Sequence, residues 1–182
     1  FETAEHCLEE SIHRCAVLED RQSMEMRALC HAGLADLMER QQRWQGAIDQ
    51  WQRVIELDAT SIEPRLAQAS LLADPAGQAH EAATVLEMAL TLHMPEADRA
   101  ATHRLLGQLQ ALALGQPEAA RPHLTTAMAI APQPLDGVVL ALATPTPDWP
   151  RVFDELVRAL DVPEAMAPDN GLHRILAHLK HQ

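Results

Sequence analysis

From Ala4 onward the apolar residues fall at Ala4, Cys7, Leu8, Ile12, Cys15 and Ala16. This i, i+3, i+4 spacing gathers side chains on one face of a helix, and it predicts a first helix over about residues 3 to 20. Ser23 is placed to cap a second helix, in which Met26, Leu29, Cys30, Leu34, Leu37 and Met38 continue a stripe to about Gln42. A third run through Ala47, Ile48, Trp51, Val54 and Ile55 ends near Asp58-Ala59-Thr60-Ser61. Two amphipathic helices joined by a short turn leave apolar faces that one pair cannot cover, so the pattern calls for further hairpins stacked on the first.

The chain supplies them on a recurring spacing. His31-x2-Leu34-Ala35-x2-Met38 is followed by Trp44, Ala47-x3-Trp51 and Val54. Leu66-x2-Ala69-Ser70-x2-Ala73 is followed by Ala82-x3-Leu86, Ala89 and Pro95. His103-x2-Leu106-Gly107-x2-Gln110 is followed by Gly115, Ala120-x3-Leu124, Ala127 and Pro132. The small residues let two helices approach closely, the large ones fill the space beside them, and the closing proline stops the second helix. Ala47, Ala82 and Ala120 lie 35 and 38 residues apart, so the period is kept but stretched by short insertions.

These three copies resemble the tetratricopeptide repeat family over about residues 28 to 132. The resemblance implies an all-α fold, a right-handed superhelical stack of antiparallel helix hairpins. Residues 3–20 then form a half repeat and residues 28–61, 63–96 and 99–132 three whole ones, an array over 1–134. Beyond it a C-terminal helical cap is expected over 135–182, with Asp148 capping one helix and Asn170 another. Within that stretch, Ala143-Thr-Pro145-Thr-Pro147 disfavours helix and reads as a linker within the fold or a joint to another domain.

In this family the first helices of successive hairpins line a groove that accepts a peptide. Carried over residue by residue, the resemblance assigns Ala32, Asp36, Glu39 and Arg40 to the groove in the first hairpin, Ala67, Gln68 and Leu71 in the second, and Arg104, Gln108 and Ala111 in the third. An extra residue between Gly107 and Gly115 leaves the third register open. Members that clamp a chaperone's C-terminal carboxylate use Lys and Asn at such positions, whereas this chain has Ala32, Asp36, Ala67 and Leu71. The resemblance therefore implies a protein or peptide partner other than such a tail. The implied role is a protein-protein interaction scaffold. The alternatives are a regulatory or substrate-recruiting arm of a larger bacterial enzyme such as a glycosyltransferase, and a self-associating module forming a homo-oligomer.

Charge narrows the partners. Asp and Glu number 26 against 14 Lys and Arg, a net charge of -12, which repels nucleic acid and anionic membrane surfaces. Lys180 is the one lysine, so arginine carries the positive charge and favours structured carboxylate pairs. Cys7, Cys15 and Cys30 lie on apolar stripes without a CxxC spacing, which reads as buried free thiols in a reducing, cytoplasmic compartment. No run approaches the length of a membrane span. The chain does not begin with Met and opens on half a repeat, so an array cut at its N-terminus is expected.

Phosphate-cradle, zinc-protease and nucleophile-elbow spacings are absent from the sequence, so no catalytic residue and no cofactor is expected. His6, Cys7, His13, Cys15, Cys30 and His31 read as packing and surface residues before they read as ligands. His173, His178 and His181 are placed to meet helix-end carbonyls. No metal site is expected from either group. Trp44, Trp51 and Trp149 are assigned to packing.

Overall fold

In the computed structural model, residues 2–17, 20–163 and 171–180 are described. They form ten α-helices in two compact units, residues 1–85 and 86–182. The first unit opens with α1 (Glu2–Cys15), α2 (Arg21–Arg40), α3 (Trp44–Leu57) and α4 (Glu63–Ala73), while α5 (Ala79–Ala89) runs across the division. In the first unit α1 packs on α2, α2 on α3 and α3 on α4.

The cap of α2 is Asp20, not Ser23 as the sequence reading has it. The Asp20 carboxylate accepts the Ser23 backbone N–H at 2.7 Å, and this bond holds its pKa below the usual carboxylate range. A carboxylate satisfies an orphan donor and also complements the positive helix terminus, so it outcompetes a hydroxyl three residues on. Ser23 consequently lies inside the first turn, buried.

The repeat slots are the core. Ala35, Ala47, Ala69, Ala82, Ala89, Ala120 and Ala127 have essentially no exposure, and neither do Leu86, Leu106 and Leu124. A Cβ at Gly46 would lie 2.8 Å from the Met38 sulfur, which shows how closely α3 rides over α2.

The expectation of three buried thiols needs correcting. Cys30 is buried, Cys15 is half-buried and Cys7 is exposed. On α1 the half-buried residues are Glu5, Leu8, Ser11, Ile12 and Cys15, while Ala4 and Cys7 face solvent. Among the described residues α1 packs mainly on α2, and half of its apolar stripe is left uncovered.

The second unit holds α6 (Glu96–Gln108), a π-helical segment over Leu109–Ala113, α7 (Pro117–Ile130), α8 (Asp136–Leu142), α9 (Trp149–Leu160) and α10 (Leu172–Lys180). The π segment is where the extra residue goes. The small residue of the first helix and the alanine of the second are 12 apart in the first two copies (Ala35 to Ala47, Ser70 to Ala82) and 13 apart in the third (Gly107 to Ala120). An i→i+5 bond from Leu114 N–H to Leu109 C=O at 2.9 Å absorbs the surplus without breaking the helix. Gly115, at φ 61°, then supplies the left-handed turn into α7.

Around these elements Leu124, Leu135, Val138, Val139, Leu142, Val152 and Ile175 form one buried cluster. The proline-rich stretch 143–148 joins α8 to α9, which pack on each other, so it is a linker within this unit. Asp148 stands at the N-cap position of α9 but makes no side-chain cap bond, and Asn170 lies outside the described residues.

Gly107 tests the close approach. An added Cβ would lie 2.7 Å from Leu124 Cγ and 3.2 Å from the Leu124 backbone nitrogen, so α6 and α7 would have to part. Gly107→Ala is expected to destabilise the chain by about 1–3 kcal/mol in urea unfolding. Gly46→Ala meets only a flexible thioether and should cost less; equal losses at the two sites would contradict this account.

Candidate functional site

The sequence-assigned groove residues fall into two environments. On α2, Asp36 and Arg40 are exposed and pair with each other at 2.9 Å, with side-chain exposures of 59% and 69%. Glu39, one position back from Arg40, is half-buried and accepts from Trp51 Nε1 at 2.7 Å, tying α2 to α3. Ala32 is half-buried. The exposed pair contributes little to stability, since the energy of a solvated i, i+4 pair is small.

On α4, Gln68 and Leu71 are buried and Ala67 is half-buried. The Gln68 amide donates to Gln52 Oε1 at 3.1 Å and to the Ile48 carbonyl at 3.4 Å. Its donors are therefore engaged with α3.

On α6, Arg104 and Gln108 are buried, and Ala111 in the π segment is buried with them. Arg104 forms a fork with Asp136 of α8, Nε to Oδ1 at 2.7 Å and Nη2 to Oδ2 at 3.1 Å, with side-chain exposures of 9% and 2%. Nη2 also donates to the Ala131 carbonyl, and Asp136 Oδ2 accepts the Gln133 N–H at 2.8 Å. One guanidinium thus fastens the α7–α8 turn and the start of α8 to α6.

Gln108 is met by α10. Arg174 donates to Gln108 Oε1 at 3.1 Å, and Gly171, at φ 83°, comes so near that a Cβ there would lie 2.5 Å from the same oxygen. Farther along, the His178 ring nitrogen Nδ1 lies 3.1 Å from the Leu112 carbonyl. Ile175 enters the core with no exposure, and Leu172 and Leu179 pack against it. The last described helix therefore returns across the face of the third hairpin's first helix. His178 meets a last-turn carbonyl of the helical stretch that ends with the π segment, and His181 lies outside the described residues.

A second feature escaped the sequence reading. His31 Nδ1 lies 2.7 Å from Gln50 Oε1, joining α2 to α3, and His103 Nδ1 lies 2.8 Å from His123 Nδ1, joining α6 to α7. His31 and His103 fill the same repeat slot, and Gln50 and His123 each stand three residues after the matched alanine. The internal repeat was the signal that could have paired them. Asp136 lay beyond the last copy, where no spacing pointed to it.

Breaking the buried fork is expected to be costly. Asp136→Asn leaves the Arg104 charge buried against a neutral amide, and a loss of about 3–5 kcal/mol is expected in chemical denaturation. A loss no larger than that of an exposed-pair variant such as Arg53→Gln would overturn the structural role given to it.

A scan against protein-family models finds no match, and neither does a search of the curated proteins. Solved structures are similar in fold. The chain superposes on MamA protein with a TM-score of 0.58 at 17% identity, covering 84% of this chain and 88% of that one. YrrB, a TPR protein with an unusual peptide-binding site, gives 0.55 at 18% identity over 84% and 83% of the two chains. TTC0263, a thermophilic TPR protein in Thermus thermophilus, gives 0.55 at 17% over 89% and 82%. With helix hairpins on the repeat spacing and these likenesses over most of its length, the chain has a tetratricopeptide-type, all-helical repeat fold.

Proposed function

We propose that the chain is a protein-interaction scaffold that holds a partner segment against α2, with Asp36 and Arg40 as its polar contacts. The observation that supports this reading is the contrast between hairpins. The positions assigned to recognition on α6 are covered by α8 and α10, whereas among the described residues Asp36 and Arg40 pair with each other on an exposed surface. An exposed Arg–carboxylate pair exchanges readily for an intermolecular one, because little is lost when it opens. The likeness to a peptide-binding TPR protein in YrrB agrees with this reading without naming a ligand.

The test reverses the field and keeps the fold. Asp36→Arg combined with Arg40→Asp preserves an i, i+4 pair of opposite charges and removes nothing from the core. Quantitative affinity capture with the double variant should lose proteins that the parent retains, at unchanged helicity by circular dichroism. An identical captured set would remove this face from the proposal.

A second reading is self-association, and α9 favours it. Phe153, Val157 and Leu160 are exposed at 55%, 62% and 44% and recur at i, i+4, i+7, an apolar stripe on a helix whose opposite edge is already packed. Light scattering across a concentration series is expected to show mass rising above 20.1 kDa, and Val157→Glu is expected to abolish the rise. A mass constant at the monomer value rejects this reading.

A further inference from the structure

α10 lies on α6 and the π segment as a ligand helix lies on a receptor face. Its stripe of Leu172, Ile175 and Leu179 recurs at i, i+3, i+7 and turns inward, with Ile175 at no exposure and both leucines half-buried. The opposite face, His173, Leu176, Ala177 and Lys180, is exposed. Two donors flank the stripe. Arg174 donates to Gln108 Oε1 at 3.1 Å, and His178 Nδ1 lies 3.1 Å from the Leu112 carbonyl, which can only accept. Leu112 belongs to the last turn of its helical stretch, where carbonyls lack a partner along the helix.

This seat stands at a repeat position. Gln108 follows His103 by five residues as Asp36 follows His31, and Leu112 follows Gln108 by four as Arg40 follows Asp36. On α2 those two positions are exposed, while on the third hairpin α10 covers them. The cover is therefore supplied by α10 and not by the hairpin's own packing. α10 has nine residues, and an isolated helix shorter than about 12–15 residues is marginal in water, so α10 is helical because it is seated. Its release exposes one fully buried side chain and the two half-buried leucines. The α6–α7 seam, held at Gly107 and Leu124, does not depend on it.

We propose that the face of α6 and the π segment beneath α10 is a docking site for an amphipathic helix of a partner protein, and that α10 occupies it as an intramolecular competitor. The occupant defines the ligand. Around a central Ile or Leu it carries apolar residues at i−3 and i+4, a guanidinium at i−1 for Gln108 and a donor at i+3 for the Leu112 carbonyl. A glycine at i−4 completes the pattern, because a Cβ at Gly171 would lie 2.5 Å from Gln108 Oε1 and the residue holds φ 83°. Such a basic segment complements a chain of net charge -12. The site is independent of Asp36 and Arg40. A tethered competitor reduces the apparent affinity of a free partner by the fraction of chains that are open.

Gly171→Val weakens the competitor and leaves the seat intact, since the added side chain meets Gln108 only when α10 is docked. A fluorescein-labelled peptide of residues 171–182 is titrated into the full-length parent and the variant and followed by fluorescence anisotropy. The variant should bind it about tenfold or more tightly than the parent does, and a peptide carrying Ile175→Asp should bind neither. In the parent, hydrogen exchange should give the α10 amides protection factors at least about a hundredfold lower than those of Leu124 to Ala127 on α7, through an opening that leaves α7 closed. Equal affinities in parent and variant, binding that survives Ile175→Asp, or α10 amides as protected as those of α7 would make α10 a fixed part of the core and overturn the proposal. A doubled mass that persists in a Val157→Glu background would assign the seat to α10 of a second copy and overturn it as well.

Discussion

The close approach of paired helices at small residues is the constraint on which the rest of the structure depends. Where Ala35 meets the α2–α3 contact, or Gly107 faces Leu124, there is no room for a longer side chain, and the backbones themselves set the distance. A helix held that near its partner has a fixed register, so every residue at a given offset from the small one meets a defined counterpart. His31 with Gln50 and His103 with His123 follow from that register alone. Each hairpin buries its own seam but leaves an outer apolar stripe, which is why α1 is poorly covered and α9 exposes Phe153 and Val157.

The third hairpin shows what happens when the spacing is violated by one residue. A regular helix would rotate everything after Gly107 by about 100° and point Gln110 and Ala111 elsewhere. The π segment takes up that rotation locally, so the seam of α6 with α7 is kept up to the turn at Gly115. The end of α6 and the π segment after it receive other elements, α8 through Arg104 of α6 with Asp136, and α10 through Gln108 of α6 and Leu112 of the π segment. Burying an ion pair yields little net energy, since desolvation offsets most of the attraction. Its effect is selective: a guanidinium fork, a turn carbonyl and a backbone N–H are satisfied together in only one placement of α8.

The helices and the packing slots were legible in the sequence because both follow from periodicity, which is a local property of the chain. Ala47, Ala82, Ala120, Leu86 and Leu124 could be assigned from spacing and are buried where the repeat requires. The start of α2 was misplaced because two capping residues, Asp20 and Ser23, compete within one turn and only geometry decides between them. The environment of Arg104 and Gln108 was not legible, since their partners Asp136 and Arg174 lie 32 and 66 residues away in regions with no repeat to set the register. Groove positions inferred from a family pattern presuppose that nothing else in the chain returns to them, and α10 does.

That return makes the three hairpins unequal despite their common spacing. A repeat array offers a ligand whatever face its neighbours leave uncovered, so recognition is decided by the elements that lie outside the repeat. In the second unit α8 and α10 cover α6, whose polar groups become internal fasteners. In the first unit the described residues place no such helix over Asp36 and Arg40, and the same slots remain a charged, hydrated surface. Packing residues can therefore be shared by every copy while the chemistry presented to a partner belongs to one of them, because register is fixed by the seam and access by what folds back over it.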